Sequence, residues 1–493
     1  LIRRLAIALT LVPFLVTPTR AHLNSPNVYL EEAVGPWPAI STVQMPPAVP
    51  GEARVEIKLY DLHPGEPVHV RFREIPPAGD DAAPPWVDAT PLSADASSFI
   101  APMPLMRLGV WKARLEVSGA RGTGTIDIPV AATMPPSRSM TPSLILILAT
   151  LSSFLLVTAT LITRALSRDV YTAGRPVKPR TTTIITWVTA AGFLGVLGMH
   201  GLAWRHFNDL LAMRTSRSMR AIVTPTAGPL VAGKPGELDL RAVLGKGRQV
   251  EDVAPDHGKM MHAVVVKVPE MTYFLHAHPR MVEPGQFLLT LQAPEAGRYE
   301  IFADVLSSYG VADTLTSFVD VGPGDATRAT SFPDPDDSDT VTKPIGDAAT
   351  SGTTYDIGSG LTMRRVSPAG TTIPASTLAD LGFELDGPDG KPVDALQPYM
   401  GMAGHLLILR DDRVVFAHVH PMGTVANRMS MPGAHAAMSP EEHAKAMASM
   451  ASRIEGARVS FPFGFPSPGR YRLFVQVKYQ DAVRTGVFDV DVR

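Results

Sequence analysis

Residues 257–279 read HGKMMHAVVVKVPEMTYFLHAHP, and residues 400–421 read MGMAGHLLILRDDRVVFAHVHP. Each stretch places a His ahead of a β-branched or aliphatic run, crosses a short connection (PEM or DDR), and closes on His-x-His-Pro. Short apolar runs on either side of turn-like residues read as the two strands of a β-hairpin. Antiparallel pairing about Glu270 sets His262 opposite His278, and pairing about Asp412–Arg413 sets His405 opposite His420. Directly opposed side chains share a sheet face, with Cβ atoms about 5 Å apart. His276 and His418 lie two residues from a His neighbour and so share that face. The spacing therefore predicts three imidazoles turned together on each hairpin.

A further candidate ligand stands five residues upstream of each hairpin: His257 in the first, Met400 in the second. The first set is His257, His262, His276 and His278, all nitrogen. The second is Met400, His405, His418 and His420. Imidazole suits copper and zinc alike, whereas a thioether favours Cu(I). The expected metal is copper, with zinc as the alternative, and the second site is expected to hold Cu(I) more tightly. A lone His in a strand usually packs or faces solvent; recurrence of the same three-His pattern is what points to a metal.

The hairpins belong to longer internal repeats. Pro255, Gly258 and His262 match Pro398, Gly401 and His405 at one constant offset, and AGRYEIFADV (296–305) matches PGRYRLFVQV (468–477). Recurrence within one chain marks a shared structural unit. The offset grows between the two blocks, so the second repeat carries an insertion, 423–457. The repeats span 221–322 and 355–493, joined by a polar, Pro- and Asp-rich linker, 323–354. The insertion is rich in Met and His. Ser439-Pro440-Glu441-Glu442 is a capping box with Pro at the first helical position. His443, Met447 and Met450 then fall on one helical face. Met402, Met422, His435, His443 and Met447 are the further candidate ligands here, against a lid that packs through Met.

Ahead of the repeats, 22–133 alternates as a β domain does, in ARVEIKLYDL, EPVHVRFREI, GVWKARLEVSG and GTGTIDIPVAA. Residues 1–21 carry Arg3 and Arg4, then an apolar stretch, then Thr19-Arg20-Ala21, and read as a secretory signal. Cleavage after Ala21 would expose His22, whose amine and imidazole together can chelate Cu(II), with His63 and His69 as partners in that domain. Two apolar segments, 144–163 and 183–204, read as transmembrane helices. The loop between them, 164–182, holds Arg164, Arg168, Arg175, Lys178 and Arg180 against Asp169, which places it in the cytoplasm and both flanks outside. The helices carry no mid-span ionisable residue and read as an anchor.

The chain has no Cys, which excludes disulfides, zinc-thiolate knuckles and a thiol nucleophile. Its net charge of −2 gives no electrostatic case for nucleic acid. Pro (46) and Gly (40) are abundant, as suits β modules joined by loops.

AHLNSPNVYLEEAVGPWP and GVWKARLEVSGARGTGTIDIPV resemble CopC/YtkA-like exported β-sandwich domains of bacterial membrane proteins. The repeat motifs DHGKMMH, HAHP, YMGMAGH and HVHPMGT look like the same group. The resemblance implies copper binding through an N-terminal His, an element that only His22 matches. The resulting expectation is a mainly β chain: three Ig-like or cupredoxin-like β-sandwich domains plus two transmembrane helices. The domains would face the periplasm from the bacterial inner membrane, with a metal ion and a periplasmic or membrane copper protein as partners. The expected task is copper handling, tolerance or delivery. No Ser/His/Asp set or carboxylate pair forms a catalytic unit; the alternatives are a metal-dependent redox enzyme and a metal-free assembly module.

Overall fold

The alternating segments fold into strands, and the strands into paired sheets. The computed structural model describes residues 27–132, 142–169, 179–215, 220–425 and 456–493, with Ile454, apart from short gaps at 47–48, 64, 93–96, 227, 244–248, 252, 308–311, 330, 347–351 and 371. The predicted signal segment 1–21 and His22 lie outside the described residues, as do 426–453, with His435, His443 and Met447. The chain divides into two compact units: 1–21 with 134–216, and 22–133 with 217–493.

Among its described residues the first unit contains two helices, Pro142–Asp169 and Pro179–Thr215. Each opens on proline, whose missing N–H costs nothing at a helix start. Leu146–Leu166 is long and apolar enough to cross a membrane, at a mean hydropathy of 2.1. Its Leu146, Phe154 and Leu161 are exposed. The second helix carries a shorter apolar stretch, Thr183–Val196, so only one helix among the described residues has full spanning length. The first helix also runs on to Asp169, which puts Arg164 and Arg168 on the helix rather than in a loop.

Among the described residues the second unit is β, apart from one 3-10 turn at Asp80–Ala82. In its N-terminal part, Gly51–Leu59 and Ser98–Leu105 pair within one sheet, and Val68–Ile75, Gly109–Gly119 and Gly122–Ala132 form the other. Alternate residues from both sheets, among them Val55, Ile57, Phe72, Trp111, Leu115 and Ile128, meet in one core. That is the two-layer solution for strands with one apolar face.

The two repeats share one topology. In the first, strands Arg220–Pro225, Gly236–Val243 and Gln286–Leu291 form one layer. The other runs Leu230–Val231, Ala312–Gly322, Gly297–Ser307, His262–Val268, Tyr273–Ala277. In the second, Leu361–Ser367, Leu378–Asp386 and Arg458–Gly464 match the first layer. Thr372–Ile373, Ala482–Val492, Gly469–Tyr479, His405–Arg410 and Phe416–Val419 match the second, in the same order. Each repeat fills its own core, around Tyr299 and Phe287 in one and Phe383, Phe461 and Tyr471 in the other. Within the predicted linker, Ser338–Val341 adds an edge strand beside Tyr273–Ala277.

The repeats pack face to face through the hairpins. Phe274 stacks on Phe474 (centroids 4.2 Å apart) and Phe302 on Phe416 (4.6 Å). The repeat alignment exchanges these two pairs, so the interface has a pseudo-twofold axis. Val264, Val266, Leu407 and Leu409 fill the space between them. The buried Glu300 carboxylate accepts from Arg413 Nε at 2.8 Å. At the position corresponding to Glu300, Arg472 donates to the carbonyl of Met271 at 2.8 Å and forks onto Asp489. The N-terminal part docks on the second repeat through Leu30 and Gly423, which form a β-bridge.

Candidate metal centre

Ala263 and Val265 point into the core of the first repeat, whereas Val264 and Val266 point at the second repeat. Both faces of the strand are therefore buried, which is why HAVVVKV reads as an unbroken apolar run. His262, His276 and His278 stand on the outward face, beyond the Val264 end of that interface. The ladder pairs Ala263 with Ala277 and Val264 with His276, a register that continues to His262 opposite His278. The second hairpin pairs Leu406 with Val419, which continues to His405 opposite His420.

Both hairpins turn these faces toward each other, so the two predicted sites become one centre. The ligand nitrogens of His262, His276 and His278 lie within 4.8 Å of one another, and so do those of His405, His418 and His420. The triads also touch: His262 and His418 rings are 5.0 Å apart and His276 and His418 rings 5.4 Å. His257 joins them from its turn. Its ring lies 4.5 Å from His420 and 6.1 Å from His405, whereas the sequence grouped it with the hairpin of its own repeat. Half of the chain's 14 His thus meet at one place. Neither repeat can complete the centre alone.

The proton positions follow from the hydrogen bonds. His262 Nε2 lies 3.2 Å from the carbonyl of Asp256, which can only accept, so Nε2 carries the proton and Nδ1 a lone pair. Tyr399 Oη donates to the carbonyl of Asp336 at 3.0 Å, so toward His276 Nδ1, at 3.3 Å, it can only accept. His276 Nδ1 is therefore protonated; it also donates to Gln476 Oε1 at 2.7 Å. That leaves Nε2 of His276 as a lone pair, 3.4 Å from the lone pair of His262 Nδ1. Two nitrogens bound to one tetrahedral ion at ~2.0–2.1 Å stand about 3.3–3.4 Å apart. Without an ion these lone pairs repel; with one they are ligands at the right separation.

Two of the other imidazoles have carboxyl partners. His278 Nδ1 is 2.8 Å from Asp337 Oδ1, and His418 Nδ1 is 3.3 Å from Asp304 Oδ2. The Nε2 atoms of His278 and His418 have no hydrogen-bond partner, and neither nitrogen of His405 has one. A carboxylate behind a ligating imidazole fixes its tautomer and raises its basicity. Burial is the largest cause holding all six triad imidazoles below their ordinary pKa, with His276 and His420 pushed down to about 3. At neutral pH they are uncharged, the form that binds a metal. Burial likewise pushes Asp304 and Asp337 up to about 7.

Four groups around the centre are not apparent from the hairpin motifs. Asp337 comes from the stretch that reads as linker; with it, Ser338 accepts from Gln476 Nε2 and Asp334 and Asp336 bind Lys259. Asp304 and Gln476 occupy matching positions in the second repeated block, GRYEIFADV and GRYRLFVQV. A polar residue recurring inside an apolar strand is the signal that could have found them. Tyr399 immediately precedes Met400, whose turn matches that of His257 in backbone: φ is 49° at His257 and 50° at Met400, followed by 82° and 81° at Gly258 and Gly401. Met400 and Met402 are buried there. Met422 packs against the N-terminal core. His69 pairs with Asp88 at 2.9 Å on an exposed surface, and His63 lies in the same N-terminal part.

The fold and the centre define a tandem-repeat β protein with one histidine cluster shared between its repeats. A family model described as a domain of unknown function, DUF8832, matches residues 219–322 and 364–493, the two repeats. No curated protein matches the chain. Among solved structures, it is similar at 10% identity to Salmonella alpha-2-macroglobulin reacted with methylamine, over 95% of this chain and 23% of that one, with a TM-score of 0.21. It is similar at 10% identity to the Escherichia coli adhesin FdeC, over 95% and 97%, with a TM-score of 0.15. A Ca2+-stabilized, ice-binding adhesin of an Antarctic bacterium matches at 9% identity, over 90% and 69%, with a TM-score of 0.17. The chain thus spans about a quarter of the macroglobulin.

Proposed function

We propose that this chain is a membrane-anchored protein that holds transition-metal ions, copper foremost, in the histidine centre between its repeats. The observation that carries the reading is the pair of imidazole lone pairs, His262 Nδ1 and His276 Nε2, facing each other at 3.4 Å in a buried site. Imidazole donors serve copper and zinc. Burial favours retention: an ion enclosed by both repeats and by the Asp334–Ser338 segment cannot be handed on at a simple collision. Copper tolerance or resident binding therefore suits the site better than rapid delivery.

The helices would anchor the chain in a bacterial inner membrane by two passes, with Thr183–Val196 extended to spanning length by the residues after it. Arg164, Arg168, Arg175, Lys178 and Arg180 favour the cytoplasm for their connection and so the periplasm for the β unit. The test is metal analysis of the full chain, purified in detergent after expression with copper and zinc supplied. Stoichiometric copper, reduced in His276→Ala, supports the proposal; a protein isolated without copper or zinc, and unable to take up either, sinks it.

A further inference from the structure

We infer that the centre is dinuclear, with one ion in each His triad and the two ions close enough to interact. This rests on the metal reading above and adds ion number and coupling to it. Each triad is complete by itself, since its three nitrogens lie within 4.8 Å of one another. Three imidazoles are a full protein ligand set for copper or zinc with one position left open. Six are more than one tetrahedral ion can use, so a single ion would leave buried lone pairs unpaired on the other triad.

The triads meet at His418; the other separations between them are longer, with His262 and His405 rings 6.4 Å apart and His276 and His405 rings 6.1 Å. His262 and His418 are 5.0 Å apart by ring centroids, as are His262 and His278 of one triad. His276 and His418 are 5.4 Å apart, and His405 and His418 of the other triad 5.3 Å. Contact of the triads at His418 would bring ions bound in them close enough to interact, as in two-metal sites.

Each triad has its own carboxyl support: Asp337 stands behind His278, and Asp304 behind His418. The pseudo-twofold axis of the interface supplies the reason for the duplication. Whatever one hairpin holds, the other presents the same frame from the opposite side.

The test is copper content and electron paramagnetic resonance of the full chain loaded with Cu(II) in detergent. The expected result is two copper ions per chain with dipolar broadening and a half-field transition. His405→Gln, which keeps a polar side chain of similar reach, should bind one copper and give a sharp mononuclear spectrum with no half-field signal; His262→Gln should do the same from the other side. Should either variant fail to fold, the wild-type spectrum decides alone. One copper per chain in the wild type, or two with uncoupled spectra, overturns the dinuclear inference and leaves the metal reading standing. Failure to bind copper or zinc at all overturns both.

Discussion

Asp304 in the first repeat and Gln476 in the second occupy the same place in the repeated strand, and each reaches across to an imidazole of the other repeat: Asp304 to His418, Gln476 to His276. Their own supports match too, Thr314 for Asp304 and Thr485 for Gln476. The frame is duplicated and the chemistry is not. His418 is backed by a carboxyl group and His276 by a neutral amide and a phenol. The turns differ similarly: Asp256-His257 in one repeat, Tyr399-Met400 in the other. A duplicated scaffold thus presents two halves of unequal basicity to one centre.

The largest effects should come from breaking the interface that brings the halves together. Arg413→Leu removes a guanidinium from buried Glu300, and Arg472→Leu removes one from Asp489 and from two carbonyls, those of Met271 and Lys343. Stripping one partner from a buried ion pair costs about 3–5 kcal/mol. Denaturant unfolding of the full chain should show losses of that order for both. A loss confined to one variant would mean that the pseudo-twofold interface is energetically one-sided. Phe274→Ala and Phe302→Ala, which empty the two symmetric stacks, should each cost about 3–5 kcal/mol, and similarly to one another.

Acidity should weaken the metal-free protein. The unfolded imidazole takes up a proton near pH 6.5, whereas buried His276 and His420 resist down to about 3. Below pH 6.5 the unfolded state therefore binds protons that the folded state refuses, so the stability held above 6.5 drains away toward 3. Asp304 and Asp337, raised to about 7, work in the opposite direction: their stabilising contribution is lost as pH rises toward 7. Six depressed imidazoles outnumber the four raised carboxyls, Glu31, Glu74, Asp304 and Asp337, so the chelator-treated protein should melt lower at pH 5 than at pH 7. An unchanged or higher melting temperature at pH 5 would show that the imidazoles are not held neutral by burial.

The difference between the halves can be probed by making them alike. Asp304→Asn gives both imidazoles a neutral amide partner, and loss of such a supporting group typically weakens metal binding about 10–100-fold. Competition with a chelator should show that loss, while Gln476→Asn, neutral before and after, should change affinity less. The smallest effect is expected at Met400. Replacing it by Leu keeps the volume, so Zn(II) binding should hold, and Cu(I) binding should fall only if its sulfur reaches the centre. Because His257 sits with the second triad, the softness expected of the second repeat's own site becomes a property of the shared centre, and isolated domains would not report it.

The strand period and the short turns made the hairpins legible down to register, as the pairings of Val264 with His276 and of Leu406 with Val419 confirm. The meeting of the two triads was not legible, because HAVVVKV and HLLILR are apolar at nearly every position. Such runs state that both faces are buried without stating what buries the second one. Asp337 was hidden for the opposite reason. Its neighbours Asp334, Pro335 and Asp336 have linker composition, and only the fold shows that they close over the centre and bind Lys259 and Lys478. The helical segments were legible by composition, yet only Leu146–Leu166 meets spanning length and hydropathy among the described residues.

The most direct test of a shared inter-repeat centre is anomalous diffraction from crystals of the full chain grown with Cu(II), collected on both sides of the copper edge. The account predicts strong anomalous peaks between the two hairpins, within bonding distance of His276 Nε2 on one side and of His405 on the other. Peaks only at surface histidines such as His69, or no peak between the hairpins in copper-saturated crystals, would contradict it.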